Sequence, residues 1–143
     1  MLRLPEDMLA QIHAHGEQAY PEEGAGFMLG ADGDERAVQA IFPLSNARED
    51  AARQNRYLFT PVDYLRAESE AERLGLSLIG VFHSHPDHPN RPSEFDREWA
   101  QPYFSYLITS VRSGKALETR SWRLVEDRSE FQEEQIRISA KGV

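Results

Sequence analysis

The hydrophobic positions of this chain fall into short runs separated by polar turns, as in a domain built from several strands and a few helices. Turn residues such as ADGD at 31–34 and SGK at 113–115 mark where runs end. The run LSLIGVFHS is apolar without alternation, which predicts a central strand buried on both faces. The predicted strands cover 24–30, 36–44, 56–60, 76–84, 105–111, 116–126 and 131–139, the last as an edge strand.

Three segments have the features of helices. The first covers 5–20, begins at its proline and carries a stripe of apolar residues. The second follows Thr60 as its N-cap and ends at Gly75, a residue suited to a helix C-terminus. The third follows Ser93 as its N-cap and ends at Trp99.

Helices and strands are mixed along the chain around one central strand, which predicts an α/β or α+β sandwich with a mixed β-sheet flanked by helices. The chain has no internal repeat and no segment long enough to act as a linker, so we expect one domain spanning 1–143. The segment SNAREDAARQNR at 45–56 has no apolar anchor and is predicted to be a mobile loop.

The composition limits the chemistry that this chain can perform. Its 143 residues include no cysteine, which excludes thiolate nucleophiles and leaves His, Asp and Glu as metal ligands. A net charge of −8 at pH 7 argues against a nucleic-acid partner and permits a partner with a basic face. No apolar stretch approaches the roughly 20 residues that span a bilayer, and the first residues do not resemble a signal peptide. We therefore expect a soluble, cytoplasmic protein with no membrane partner.

The stretch HSHPDHPNRPSEFD at 83–96 follows the predicted central strand and contains candidate metal ligands. Side chains two residues apart point the same way on an extended chain, so His83 and His85 can converge on one point. His13 and His15 have the same spacing but lie on a predicted helix, where two residues turn through about 200°. We expect those two rings to face apart, as ordinary surface residues.

A third ligand and the catalytic groups should come from other elements. Asp96 follows Ser93 by three residues on the predicted third helix, so both side chains can face the strand end. Two imidazoles, a carboxylate and an open position suit a catalytic zinc, but a capped helix beside a polar loop explains the same residues equally well. Glu22 and Glu23 are candidates for a general base, and a solvated loop is the alternative interpretation of that pair.

The sequence His83-Ser84-His85-Pro86, followed by Ser93-x-x-Asp96, resembles the motif of the JAMM (MPN+) metalloprotease family, H-[ST]-H-P and then S-x-x-D. That family has an upstream glutamate in an E-x-x-G segment, which corresponds here to 23–26. The order of predicted elements is also similar, up to about residue 123. One departure is visible at 25, where many family members have cysteine and this chain has alanine.

The resemblance implies an MPN-type sandwich related to the cytidine-deaminase fold, with His83, His85 and Asp96 as zinc ligands. It implies Glu23 as the general base and Ser93 as a hydroxyl donor to the tetrahedral oxyanion. The compact chain is most similar to the short bacterial and archaeal members. For those, the resemblance implies cleavage of the amide that follows the C-terminal Gly-Gly of a ubiquitin-like or sulfur-carrier protein.

Other functions remain open on the sequence alone. A zinc hydrolase of another small amide is one, and a non-catalytic MPN binding module is another. A deaminase is disfavoured because such enzymes usually have cysteine ligands. A RadC-like protein, which shares the H-x-H-P motif, is disfavoured by the acidic charge. The sequence does not decide between a monomer and a homodimer.

The sequence also predicts roles for other residues of the motif and for the large aromatic side chains. Ser84 points away from the two histidines and should support the fold. His88 is a candidate for a contact with the substrate or with the metal ligands, and otherwise an exposed position. Asn90 and Arg91 are candidates to line the cleft. The large aromatic side chains Tyr106, Trp99 and Trp122 are predicted to lie in the core.

Overall fold

The computed structural model describes residues 1–44 and 59–140. Helices within that part are α1 (Glu6–Ala19), α2 (Pro61–Leu74) and α3 (Glu94–Trp99). The strands are β1 (Leu2–Pro5), β2 (Ala25–Ala31), β3 (Arg36–Leu44), β4 (Ser77–Pro86), β5 (Ser105–Arg112), β6 (Lys115–Leu124), β7 (Phe131–Glu134) and β8 (Ile136–Ser139). None of these helices is long and apolar enough to cross a membrane.

The strands form one mixed sheet in the order β7-β6-β5-β4-β2-β3-β1-β8. Strand β4 is central, as predicted. It is parallel to β5 and antiparallel to β2. The C-terminal segment 131–139 was predicted as one edge strand, but it forms two strands on opposite edges of the sheet. Only Gln135 separates them, and its carbonyl accepts a hydrogen bond of 2.9 Å from the Leu2 amide. The sheet therefore curls until its two edges lie side by side.

The helix ends follow from local chemistry. Thr60 and Asp63 form a capping box at the start of α2, and Gly75 ends that helix with a φ of 72°. Helix α1 begins one residue later than predicted, because Pro5 is its N-cap. Pro5 also ends β1, a strand that the sequence did not predict. The predicted loop at 45–56 lies outside the described residues, and so do the first three positions of the predicted strand at 56–60. The remaining two, Phe59 and Thr60, are described and are not β-structure.

Both faces of the sheet are covered, which explains the uninterrupted apolar run of β4. One face packs Val81 and Phe27 against α2, where Ala67 is completely buried. The other face packs Phe82 against Ile12 of α1.

The predicted core aromatic residues have three different positions. Tyr106 is buried, as predicted. Trp122 is half-buried, and its indole N–H donates to the Asn90 carbonyl at 3.0 Å. The prediction is wrong for Trp99, which is 55% exposed at the end of α3. A six-residue helix packs only a narrow stripe on the sheet, and in α3 that stripe includes Asp96 rather than Trp99.

Candidate metal centre

The two imidazoles of the motif converge at the end of β4. His83 and His85 are both buried, and their Nε2 atoms lie 3.1 Å apart. The intervening Ser84 points to the opposite face, as the alternation of a strand requires. The Nδ1 atom of His85 lies 2.7 Å from the Pro89 carbonyl oxygen, a contact in which Nδ1 donates its proton. That bond leaves the Nε2 lone pair of His85 directed toward His83.

The third candidate ligand comes from α3. Asp96 is buried, with carboxylate oxygens 3.4 Å from His83 Nε2 and 3.3 Å from His85 Nε2. A capping box orients it: Asp96 Oδ2 accepts from the Ser93 amide at 2.8 Å, and Ser93 Oγ accepts from the Asp96 amide at 3.0 Å. The ligand atoms of His83, His85 and Asp96 all lie within 4.8 Å of one another. The Asp96 carboxylate thus caps the helix and also lies beside both histidines, so the two interpretations of this residue do not exclude each other.

The electrostatics of this cluster favour cation binding. Burial lowers the pKa of His83, against the opposing effect of the nearby Asp96 carboxylate. Burial acts to raise the pKa of Asp96, but His83 and His85 outweigh it and hold that pKa well below its usual range. A neutral imidazole and an ionised carboxylate are the protonation states that coordinate a metal.

The donor set fits a metal ion. Two imidazole nitrogens and one carboxylate oxygen, all buried and converging, are a ligand set of the kind found in metal sites with an open position. The hydrogen bond from His85 to the Pro89 carbonyl is the outer contact by which metal-binding histidines are commonly oriented. We conclude that these three residues could hold a metal ion.

The segment that carries Glu23 is tied to the motif by its neighbour. The Gly24 amide donates to Ser84 Oγ at 2.8 Å, and the Ser84 amide donates to the Gly24 carbonyl at 2.9 Å. In the β2–β4 ladder, Ala25 is then paired with His83. Ser84 supports the fold as predicted, because it fixes the position of the segment 22–24 beside the histidines.

The two candidate bases differ in burial. Glu23 is 5% exposed, whereas Glu22 is half-buried. The register places Glu23 two residues before Ala25, the partner of His83. A solvated loop does not describe this position, and a buried carboxylate beside a metal site is suited to proton transfer.

The remaining loop residues have separate roles. Asn90 is buried and its side-chain amide donates to the Glu118 carbonyl at 3.1 Å, so it anchors the loop to β6. His88 and Arg91 are exposed. Ser93 is exposed too, and its hydroxyl proton is not needed for the helix cap, in which its oxygen is the acceptor.

The rings of His13 and His15 on α1 point in different directions, as expected. His13 Nε2 lies 2.8 Å from Thr119 Oγ1 on β6, whereas the His15 ring packs edge-on against Phe82 at 5.6 Å between centroids. Both histidines are half-buried, so their description as ordinary surface residues is wrong. Helix α1 packs on the sheet, and the rings of His13 and His15 each cover part of the sheet surface.

One relationship near the site carries no sequence signal. The Tyr20 hydroxyl donates a hydrogen bond of 2.5 Å to Asp87 Oδ2. It connects the end of α1, three residues before Glu23, to the loop that follows the histidines. In the sequence, an Asp directly after the motif is typical of a turn. Its hydrogen-bond partner could not be predicted, because it lies 67 positions away.

Relatives of known name match most of the chain. A probable TtuB-protein conjugate cleaving protease of Thermus thermophilus is 34% identical over 79% of this chain and 74% of its own length. A desampylase of Haloferax volcanii is 33% identical over 76% of this chain and 80% of its own. A CysO-cysteine peptidase of Mycobacterium tuberculosis is 26% identical over 88% of this chain and 84% of its own.

Solved structures agree with the fold. A solution structure of a protein from Desulfitobacterium hafniense has a TM-score of 0.85 and 32% identity, covering 99% of this chain and 94% of that one. A JAB1/MPN domain protein from Archaeoglobus fulgidus has a TM-score of 0.58 at 16% identity, covering 96% of each chain, and so supports the fold alone.

A family match covers most of the chain. The sequence profile of Prok-JAB, described as prokaryotic homologs of the JAB domain, matches residues 5–125. The predicted family, fold and enzyme class are confirmed together by this match, by relatives named as a protease and a peptidase, and by the JAB1/MPN fold. The chain belongs to the Prok-JAB family, the prokaryotic homologs of the JAB domain.

Proposed function

We propose that this protein is a zinc-dependent isopeptidase that hydrolyses the amide after the C-terminal Gly-Gly of a ubiquitin-like or sulfur-carrier protein. The observation that carries the proposal is the convergence of His83, His85 and Asp96 within 4.8 Å, beside the buried Glu23. Relatives whose names describe cleavage of a TtuB conjugate, desampylation and hydrolysis of CysO-cysteine support the substrate class.

Zinc is the metal that best suits the donor set. Without cysteine, the chain offers only nitrogen and oxygen donors, and two histidines with one carboxylate leave a coordination position open for catalysis. When bound, Zn²⁺ supplies a Lewis acid that lowers the pKa of a water molecule and polarises the amide carbonyl. The chain's own residues then have to orient the substrate and move protons.

Glu23 is the proposed general base and acid. Its carboxylate takes a proton from the attacking water as oxygen adds to the amide carbon, and returns a proton to the nitrogen as the C–N bond breaks. The products are a free carboxylate on the Gly-Gly tail and a free amine on the leaving group. The Ser93 hydroxyl donates a hydrogen bond to the oxyanion that forms in between.

A Gly-Gly tail suits the surroundings of the site. Among the described residues, β1 pairs only with Arg36 and Ala37 of β3, so the outer edge of the rest of β3 has no strand beside it. That edge ends at Leu44. Leu44 pairs with Ala25, and Ala25 pairs with His83, so Leu44 and His83 are two strand spacings apart, or about 10 Å. An extended tail can add to such an edge, and glycine lets its backbone approach closely.

An intact-mass assay tests the proposal directly. Zinc-loaded protein is incubated with sulfur-carrier fusions ending in Gly-Gly-X, beside versions in which the penultimate Gly is Leu and beside a chelated sample. We expect loss of X from the Gly-Gly fusions only, with kcat/KM at least about tenfold lower for the Leu versions, since a side chain forced into a tight cleft costs about a kcal/mol or more. Equal cleavage of both tails contradicts the glycine requirement. If no fusion is cleaved, a small-amide hydrolase replaces the isopeptidase.

A further inference from the structure

The loop between β4 and α3 is held through three consecutive carbonyl groups, those of residues 88–90. We call these residues the carbonyl loop. Each group accepts a side-chain hydrogen bond from a different strand of the sheet: from Ser110 of β5 to His88 at 2.8 Å, from His85 of β4 to Pro89 at 2.7 Å, and from Trp122 of β6 to Asn90 at 3.0 Å. The bond to Pro89 orients a candidate metal ligand, and the bonds on either side of it come from residues outside the ligand set.

A β-bulge between β5 and β6 supplies a fourth contact to the carbonyl loop. The register of the ladder shifts between Thr109 and Val111, so Ser110 stands opposite two residues of β6, one of which is Glu118. A bulge leaves an extra residue outside the ladder pairing. The Glu118 carbonyl accepts a hydrogen bond of 3.1 Å from the Asn90 side-chain amide. Asn90 is thus bound to β6 through both its side chain and its backbone carbonyl.

The side chains that hold the carbonyl loop are shielded from water. Ser110 and Asn90 are buried, and Trp122 is half-buried. Ser110 is also the partner of His85 in the parallel β4–β5 ladder, so both side chains lie on the same face of the sheet. Hydrogen bonds are stronger in such an environment than in water, and these three side chains therefore restrict the position of the loop.

The Pro89 carbonyl determines how the His85 ring is oriented. Residues 88–90 lie in neither a helix nor a strand, so the regular hydrogen bonds of the backbone do not position this carbonyl. Because Nδ1 of His85 donates to it, the carbonyl sets both the tautomer of the ring and the direction of Nε2. A shift of the carbonyl would turn the ring and move Nε2 relative to the ligand atoms of His83 and Asp96.

We propose that Trp122, Asn90 and Ser110 are positioning residues of the metal centre, which fix the Pro89 carbonyl and thereby set the affinity of the site for zinc. This inference rests on the proposed function for the identity of the metal, but not for the substrate. Outer partners of metal-binding histidines commonly change metal affinity by roughly 10–100-fold. Here the outer partner is a backbone carbonyl, which a substitution does not remove, so the effect has to be tested at the side chains that hold it.

The zinc affinity of the full chain measures this role without any substrate. Zinc-free wild type, Trp122→Phe and Asn90→Ala are each titrated with zinc in competition with a chromophoric chelator. We expect each substitution to weaken zinc binding about tenfold, the lower end of the range for outer partners, because the Pro89 carbonyl itself remains. Co²⁺ bound in place of zinc gives a second measurement, since its visible absorption depends on ligand geometry. That absorption should change in both variants.

Ser121→Ala is the matched control on the same strand. Ser121 is completely buried next to Trp122, and its hydroxyl donates to Glu134 Oε1 at 2.8 Å, on β7 rather than on the carbonyl loop. This variant also loses a hydrogen bond of β6, so its thermal midpoint should fall. Its zinc affinity and Co²⁺ absorption should equal those of the wild type. Circular dichroism checks that each variant is folded, and Asn90→Ala decides if Trp122→Phe does not fold.

The outcomes separate this inference from the proposed function. Wild-type zinc affinity and Co²⁺ absorption in Trp122→Phe and Asn90→Ala would overturn the inference, while cleavage of Gly-Gly fusions by the wild type would leave the function standing. Equal losses of affinity in Ser121→Ala would overturn it too, since the effect would then follow from a weaker β6. Weaker zinc binding in the two loop variants alone supports the inference even if no fusion is cleaved and the function fails. A wild type that binds no zinc contradicts both.

Discussion

Tyr20 and Asp87 form a second connection between the two halves of the candidate active site. The Tyr20 hydroxyl donates to Asp87 Oδ2 at 2.5 Å, and the other carboxylate oxygen accepts from the Ser113 amide at 2.8 Å. Asp87 has a φ of 58°, so the chain turns sharply just after the histidines. Together with the Gly24–Ser84 pair, this bond holds the segment of Glu23 against the loop of His85.

Removing that hydroxyl should impair turnover without loss of metal. We expect Tyr20→Phe to lower kcat by about twofold to tenfold, less than the roughly hundredfold that a 1 Å misplacement can cause. Steady-state kinetics and elemental analysis measure the two effects. Tyr103→Phe is the control, because it removes a similar 2.9 Å bond to Asp32 at the opposite end of β2. Equal losses in both variants would show a general effect on folding.

Glu23 and Glu22 offer a test of the base at adjacent positions. Glu23→Gln should keep the fold and the metal but lower kcat by roughly 10²–10⁴-fold, the range for general acid–base groups. Glu22→Gln should be nearly silent, because that side chain is half-buried and one residue away. Sensitivity at Glu22 instead would mean that the base has been assigned one residue too late.

The metal prediction has its own internal control. We expect about one zinc per chain in the purified protein, and a large loss in His83→Ala/His85→Ala. His13→Ala/His15→Ala removes a pair of the same spacing from α1 and should keep the metal. Elemental analysis decides, and full occupancy without His83 and His85 would place the metal elsewhere. Zinc should also raise the thermal midpoint of the wild type, since binding to the folded state stabilises it.

Two glycines test how tightly the sheet is packed at the end of β2 away from the candidate site. A Cβ at Gly30 would lie 1.9 Å from the Ala37 carbonyl oxygen, whereas one at Gly33 would meet nothing within 4 Å. Gly30→Ala should therefore lower the free energy of unfolding by about 1–3 kcal/mol through strain. Gly33→Ala should change it by less than about 0.5 kcal/mol. Urea denaturation measures both, and similar values for the two would contradict this packing.

The ligand pair on β4 and the helix caps could be predicted because they depend on short-range geometry. Alternation along an extended chain brings His83 and His85 together whatever surrounds the strand. Thr60 and Ser93 begin their helices because each side-chain oxygen accepts from an amide three residues later. The family motif added the third ligand and the choice of Glu23, which spacing had left open.

Short strands and surface positions could not be predicted in the same way. Strand β1 has four residues, too few for a periodic signal, and it is held by parallel pairing with β3 and β8. The division of 131–139 into β7 and β8 depends on the same long-range pairing. The exposure of Trp99 depends on how α3 lies against the sheet. Composition gives an aromatic residue a general preference for the core, but only tertiary packing decides which face is covered.

The position of Glu23 relative to the histidines depends on contacts between residues that are far apart in the sequence. The sequence alone determined that Glu23 precedes a strand and that the two histidines end another. That the strands are neighbours, and that Ala25 lies level with His83, was decided by the tertiary structure. The physical reason is the hydrogen bond of Gly24 to Ser84, 60 positions along the chain, because such pairing depends on the closing of the whole sheet and leaves no local pattern.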